Sequence, residues 1–176
     1  MGFPSFVSGD TLTAADMNAV GLWLIKTQTI GTAVASVQVT SAFSSTYDNY
    51  LVTVAGGVAS ADSFLKMTLG ASTTGYYQAR QSIVYATAAR LDGADNNAAA
   101  WTAVGSSDTN RLSLYMTLNN PGLAKYTQAS SFYLMTALAA TATSEHRVAT
   151  AFTDFTLAPN SGTLTGGTIR VYGYRN

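Results

Sequence analysis

The sequence contains a single histidine, His146, and nine acidic residues that could support catalysis. One imidazole cannot form a histidine cluster for a metal ion, and no motif supplies the nucleophile and orienting acid that a hydrolase would need beside it. We therefore interpret His146, within Ser144 to Arg147, as a polar loop residue. Two of the acidic residues could form a glycosidase pair, but the sequence alone brings no two of them together.

Phosphate and metal sites are also not indicated. The glycine-rich segment 70–75 is followed by Tyr76 and Tyr77, where a phosphate-binding loop would continue with lysine and serine or threonine. The segment 92–97 offers the oxygens of Asp92, Asp95, Asn96 and Asn97, but their spacing lacks the alternation of a calcium loop, so we predict a turn. We expect no cofactor and no metal ion.

Four aromatic residues form a candidate receptor or glycan contact: Tyr76, Tyr77, Tyr85 and Trp101. Exposed aromatic rings beside polar loop residues can stack on sugar rings while the polar groups bond the hydroxyls. The loops predicted at 71–75 and 91–100 are where such a contact would lie. A second interpretation remains open, in which these rings belong to the core or to a subunit interface.

The composition narrows the class of partner. Charged residues make up 10% of the chain, and nine basic and nine acidic residues give a net charge of zero, which argues against nucleic-acid binding. The longest apolar stretch, 20–30, is too short for a membrane span and contains Lys26 and Gln28, so we expect no membrane partner. A surface with so little charge is expected to contact other subunits, although an ordinary uncharged surface is the alternative.

Short strands separated by turn residues run from residue 22 to the end. This pattern predicts an all-β fold, an antiparallel β-sandwich of the jelly-roll kind, occupying 22–176 as one domain. The alanine-rich run 134–142 would also suit a helix. The predicted strands are 22–29, 36–39, 50–55, 63–69, 76–86, 100–104, 111–118, 130–139, 147–157 and 168–174.

Alternation within the strands assigns their faces. Leu65, Met67 and Leu69 are predicted to face the core, as are Ile169 and Val171 in the last strand. The segment around Phe132 and Tyr133 is apolar on both faces, which indicates a strand covered on one side by the core and on the other by a subunit contact.

Residues 1–21 differ from the rest of the chain and are predicted to form a docking arm with one short helix. Thr13 suits the N-cap, Asp16 closes a capping box, and Gly21 ends the helix. Because so short a helix is marginal in water, we expect the arm to dock on another surface. The candidate docking residues are Phe3, Pro4, Phe6, Val7, Leu12 and Met17.

Three stretches together resemble small β-rich structural proteins of tailed bacteriophages. Residues 6–20 (FVSGDTLTAADMNAV) resemble the adaptor that begins many of them, 46–52 (TYDNYLV) resemble an entry into a central strand, and 166–176 (GGTIRVYGYRN) resemble their closing strand. The three matches occur in chain order over the first, middle and last thirds.

The resemblance implies a non-enzymatic virion protein, made in the host cytoplasm and located on the particle surface. A homotrimer is implied, with other virion proteins as partners and a host surface glycan as a candidate ligand. We expect a minor tail or fibre-tip component that contributes to host attachment. The alternatives are a capsid decoration protein or head fibre, whose arm would bind the major capsid protein, and a glycan depolymerase.

Overall fold

The computed structural model describes residues 8, 9, 11 and 21–174, and every regular element among them is a β-strand. The all-β prediction is therefore confirmed. The predicted helix and the arm residues Phe3, Pro4, Phe6, Val7, Leu12 and Met17 lie outside the described residues.

The strands are β1 (Leu22–Thr29), β2 (Val37–Val39), β3 (Asn49–Ala55), β4 (Val58–Ala59), β5 (Ser63–Leu69), β6 (Tyr76–Val84), β7 (Arg90–Ala98), β8 (Trp101–Ser107), β9 (Leu112–Asn119), β10 (Thr127–Leu134), β11 (Leu138–His146), β12 (Phe155–Pro159), β13 (Leu164–Thr165) and β14 (Thr168–Tyr174).

All the strand pairs are antiparallel. Eight strands follow the order β1-β14-β3-β9-β10-β11-β6-β7, and four follow the order β2-β12-β5-β8. The two groups are joined where β8 and β9 pair at Ser106 and Ser107. The short strands β4 and β13 form a separate pair. We call β1, β2, β3, β5, β8, β9, β12 and β14 the body, and β6, β7, β10 and β11, which extend the larger sheet beyond β9, the wing.

Large apolar side chains from both groups of strands fill the core of the body. Leu65, Met67 and Leu69 of β5 are fully buried, as are Ile169 and Val171 of β14, so the faces assigned from alternation are correct for these strands. Branched and aromatic residues at every second position give each of these strands one apolar face, and burying that face in the core stabilises the fold. The same core includes Tyr50, Trp101, Met116 and Phe155.

Two of the stretches that carry the phage resemblance lie side by side in the body. The residues that follow Tyr47 enter β3, which pairs with β14 so that Tyr50 lies opposite Gly173. A β-carbon at Gly173 would lie 2.6 Å from Cγ of Tyr47 and 2.7 Å from Cδ1 of Ile25. Glycine is therefore needed in the last strand because the Tyr47 ring packs directly on its backbone.

Several predicted elements differ from the structure. Residues 90–98, which contain the predicted turn, form the edge strand β7 and pair with β6. The alanine-rich run 134–142 is not helical, because its residues end β10 and begin β11. The predicted strand 147–157 is a loop up to residue 154, followed by β12. In the first two cases the pairing of distant strands overrides local composition, whereas residues 147–154 belong to no described strand pair.

Candidate functional site

The outer face of the wing is an exposed surface of the sheet. Side chains of β10 alternate strictly, with Gln128, Phe132 and Leu134 exposed and Ala129 and Tyr133 buried. The neighbouring strands follow the same alternation, since directly opposed residues of antiparallel strands point to the same side of a sheet. One broad face therefore extends over β9, β10, β11 and β6, and it has a polar end and an apolar end.

Four residues in register form the polar end. Asn119 of β9 lies opposite Gln128 of β10, Gln128 lies opposite Glu145 of β11, and Glu145 lies opposite Tyr77 of β6. They line a groove of about 470 Å³, with the hydroxyl residues Thr117, Ser130 and Thr143 in the next row. We call this the polar groove. Its row presents two carboxamides, one carboxylate and one phenol ring.

Arg147 holds two members of that row in place. Its Nε donates to Oε2 of Glu145, and its guanidinium carbon lies 4.0 Å from the centre of the Tyr77 ring, a cation–π contact. Its backbone N–H donates to the carbonyl of Gly75 at 2.8 Å. The hydrogen bond to Glu145 raises the pKa of Arg147, which therefore stays charged. The side chains of Glu145 and Tyr77 are thus positioned before any ligand arrives.

Asp95 also lines the polar groove, but its carboxylate is already occupied. Oδ2 accepts the Thr102 hydroxyl at 2.6 Å and the Thr102 backbone N–H at 3.2 Å. Asp95 therefore satisfies a backbone donor of β8. Together with Glu145, which Arg147 holds, this leaves neither groove carboxylate without a partner.

The apolar end of the face carries four exposed large side chains: Ile83 at 47%, Tyr115 at 41%, Phe132 at 53% and Leu134 at 48%. Tyr115 and Phe132 are opposed across β9 and β10, and their rings stack with centroids 4.7 Å apart. We call these four residues the apolar patch. Clustered exposed apolar groups of this kind usually mark a contact with another molecule.

The inner face of the wing is small and polar by comparison. Its buried apolar cluster consists of Tyr133, Ala140 and Ala142 together with Ala103 of the body strand β8, and the half-buried residues Phe64, Met135 and Leu138 pack against it. Among the described residues, the buried hydroxyls of Tyr133 and Ser131 have no hydrogen-bond partner. Burial raises the pKa of Tyr133 to about 12. The buried hydroxyl of Thr127 on β10 has no partner in the described part of the chain either. Gln78 is paired: it donates to Ser144 Oγ at 2.9 Å and accepts from the N–H of Ala103 at 2.9 Å.

The fold does not bring together the four aromatic residues of the predicted receptor or glycan contact. Tyr76 and Trp101 are fully buried and meet edge to face at 5.5 Å, so the core interpretation is correct for both and neither reaches a surface ligand. Tyr77 lies in the polar groove, and Tyr85 is 57% exposed just beyond the end of β6. Of the two predicted loops, 71–75 remains a turn, whereas most of 91–100 is strand β7.

His146 is the last residue of β11 and fully buried, so its assignment to a polar loop is wrong. Nε2 lies 2.8 Å from Oγ of Ser72 and 3.1 Å from the carbonyl oxygen of Thr74. A carbonyl only accepts, so we infer that Nε2 carries the proton and cannot activate Ser72 as a base. Burial lowers the pKa of His146. The contacts of the His146 ring with Ser72 and Thr74 therefore hold the turn at 70–75 in place.

No metal site is found in the part of the chain that the structure describes, where no three His, Cys, Asp or Glu residues are grouped to hold an ion. Asp92 is paired with Arg90 at 3.1 Å, and Oδ1 of Asn97 accepts from Thr74 and Gly75. Asp92 and Asn97, two of the four residues of the segment 92–97 that carry side-chain oxygens, therefore already have partners within the chain. Nor does any described helix have the length and apolar character to cross a membrane.

Comparison with known protein families, with characterised proteins and with solved structures finds no match. Any function of the outer face of the wing must therefore be inferred from its own geometry. Sequence reasoning missed Asn119, Gln128, Glu145 and Arg147 as candidate site residues. Alternation could have placed Gln128 outward, but the row depends on the pairing order β9-β10-β11-β6, which the sequence does not reveal.

Proposed function

We propose that this chain is a non-enzymatic structural protein of a tailed bacteriophage particle, a minor tail or fibre-tip component that contributes to attachment to the host surface. The contact between Tyr47 and Gly173 supports the proposal. It joins two of the three stretches that resemble phage proteins in adjacent strands of the body, so the resemblance corresponds to one packed unit.

Under this proposal the body is a β-sandwich with jelly-roll topology. A jelly roll has eight strands in two four-stranded sheets, arranged as two Greek keys. In chain order, the eight body strands give the sheet orders 1-8-3-6 and 2-7-4-5, which are the orders β1-β14-β3-β9 and β2-β12-β5-β8. The wing then consists of two hairpin-like insertions, β6–β7 and β10–β11, that widen one sheet.

The observation that carries the proposal is the apolar patch on the outer face of the wing. Ile83, Tyr115, Phe132 and Leu134 expose large apolar groups on a chain with only 10% charged residues. Such a surface suits burial against another subunit in an assembled particle, and we propose a homotrimer. The arm, residues 1–21, would dock the protein on other virion proteins.

Imaging of intact particles of the phage that encodes this chain tests the proposal. A few copies at the tail or its tip are expected. Hundreds of copies over the capsid lattice would overturn the tail location and indicate a decoration protein. Purified particles without the chain, by mass spectrometry as well as by imaging, would overturn the virion function altogether.

A further inference from the structure

We propose that the polar groove is a binding site for a neutral oligosaccharide. The inference rests on the proposed attachment function and gives that function a site and a ligand class. The groove is formed by Asn119, Gln128, Glu145 and Tyr77 in register across four strands, with Arg147 at its edge. Three strand spacings of about 4.8 Å make the row roughly 14 Å long, which suits an extended ligand.

The side chains in the row match the chemistry of sugar hydroxyls. A sugar hydroxyl both donates and accepts, and neighbouring hydroxyls present this ability in pairs. Asn119 and Gln128 each offer a donor and an acceptor in one plane, and both side chains are exposed. Thr117, Ser130 and Thr143 add hydroxyls in the next row. Tyr77 supplies an aromatic ring, the group that packs against the apolar C–H face of a sugar.

The charges of the groove select against other ligands. Arg147 is paired with Glu145, and Asp95 adds a second carboxylate, so the lining has no excess positive charge. A phosphate or nucleic acid would need unpaired cations. The polar row is equally unsuited to a purely apolar ligand, which would leave its carboxamides without partners. An uncharged polyhydroxyl chain satisfies both conditions.

Hydrogen bonds within the chain hold the floor of the groove in place. The indole N–H of Trp101 donates to the carbonyl of Glu145 at 3.1 Å, and Gln78 joins Ser144 to the backbone of Ala103. Arg147 holds the side chains of Glu145 and Tyr77 through its hydrogen bond and its cation–π contact. A preformed site loses less entropy when a flexible sugar binds, so weak individual contacts can add up to measurable affinity.

Saturation-transfer difference NMR with the purified full chain tests the site. The probes are maltotriose, cellotriose, chitotriose and mannotriose at millimolar concentration, with sialyllactose and a heparin disaccharide as charged comparisons. We expect transfer to at least one neutral trisaccharide. Gln128→Ala and Asn119→Ala are each expected to weaken its binding about tenfold. Gln81→Ala is the matched control, an exposed carboxamide on the same face outside the groove, and should change binding less than about twofold.

Three results would overturn the inference: no transfer to any of the four neutral probes, stronger binding of the charged probes, or unchanged binding in both groove variants. These outcomes are separate from the particle-imaging result. A chain located on particles that binds no neutral probe would lose the groove assignment and keep its structural function. A chain that binds sugar through Gln128 but is missing from particles would lose the virion function alone.

Discussion

The body and the wing share one sheet but have different interiors. The body is filled by large apolar side chains such as Met67, Trp101, Met116 and Phe155, all fully buried. The inner face of the wing packs Ala140 and Ala142 around Tyr133. A fully buried large apolar side chain contributes about 1.5–3 kcal/mol, whereas alanine contributes far less. Stability is therefore expected to reside in the body.

This difference separates the region that stabilises the fold from the region that carries the two proposed contact surfaces. The wing extends the sheet far enough to present both the polar groove and the apolar patch, and the body holds it in place through β9. Substitutions in the body should change stability strongly, while equivalent ones in the wing should change it little. The predictions below compare the two regions, or two faces of one strand, in order of decreasing effect.

The largest effect is expected for Val171→Asp in the body. Val171 is fully buried in the centre of β14, so an aspartate there would place an unpaired charge in the core. We expect the free energy of unfolding to fall by more than about 4 kcal/mol, so that no soluble folded protein is obtained. Thr168→Asp, at a half-buried position in the same strand, should remain folded by circular dichroism. A native-like thermal transition for Val171→Asp would mean that β14 is not a core strand.

A glycine in each region gives the next comparison. Gly173→Ala should cost about 2 kcal/mol, because the new methyl group would overlap the ring of Tyr47. Gly93→Ala in β7 should cost less than about 1 kcal/mol, because its methyl group meets only the end of the flexible Arg80 side chain. Urea unfolding measures both. Cδ1 of Ile25, which the new methyl group would also meet, is the end of a flexible side chain and can move aside. Adding Tyr47→Ala should therefore remove most of the Gly173→Ala effect, and purely additive losses would contradict the contact.

Removing one hydroxyl in each region should give effects of opposite kind. Tyr50 in the body donates to the carbonyl of Ser44 and accepts from its N–H, both at 2.8 Å, so Tyr50→Phe should cost about 1–2 kcal/mol. The buried hydroxyl of Tyr133 in the wing has no partner among the described residues, so Tyr133→Phe should be neutral or slightly stabilising. Chemical denaturation measures both variants. Equal losses of unfolding free energy in Tyr50→Phe and Tyr133→Phe would show that the Tyr133 hydroxyl does have a hydrogen-bond partner.

The smallest effect concerns His146, whose ring packs against the rings of Tyr76 and Phe152. Burial lowers its pKa in the folded state, so protonation favours the unfolded chain. The contribution of neutral His146 to the free energy of unfolding is complete above the pKa of histidine in the unfolded chain, about 6.5. It is lost as the pH falls toward the lower pKa of the folded state, and the free energy of unfolding then decreases by at most about 1.4 kcal/mol per pH unit. Because the chain has one histidine, His146→Gln should flatten stability between pH 7.5 and 5. If the free energy of unfolding depends on pH in His146→Gln as it does in the unchanged protein, the dependence does not come from His146.

Sequence alone predicts the body better than the wing. Strands such as 63–69 and 168–174 have strict alternation of large apolar residues, and the structure confirms their faces. The wing strand β7 is rich in Asp, Asn and Gly, which favour turns, and only its pairing with β6 makes it a strand. The polar groove was unpredictable for the same reason, because Asn119 and Tyr77 become neighbours only through the order of four strands.

Residue-resolved hydrogen exchange tests the division between body and wing most directly. β3 and β14 in the body and β6 and β11 in the wing each pair with a strand on both sides, so their amides are matched in hydrogen bonding. We predict that β6 and β11 exchange through openings of lower free energy, while β3 and β14 exchange only by global unfolding. Equal protection in all four strands would show that the wing is as stable as the body and would contradict the account.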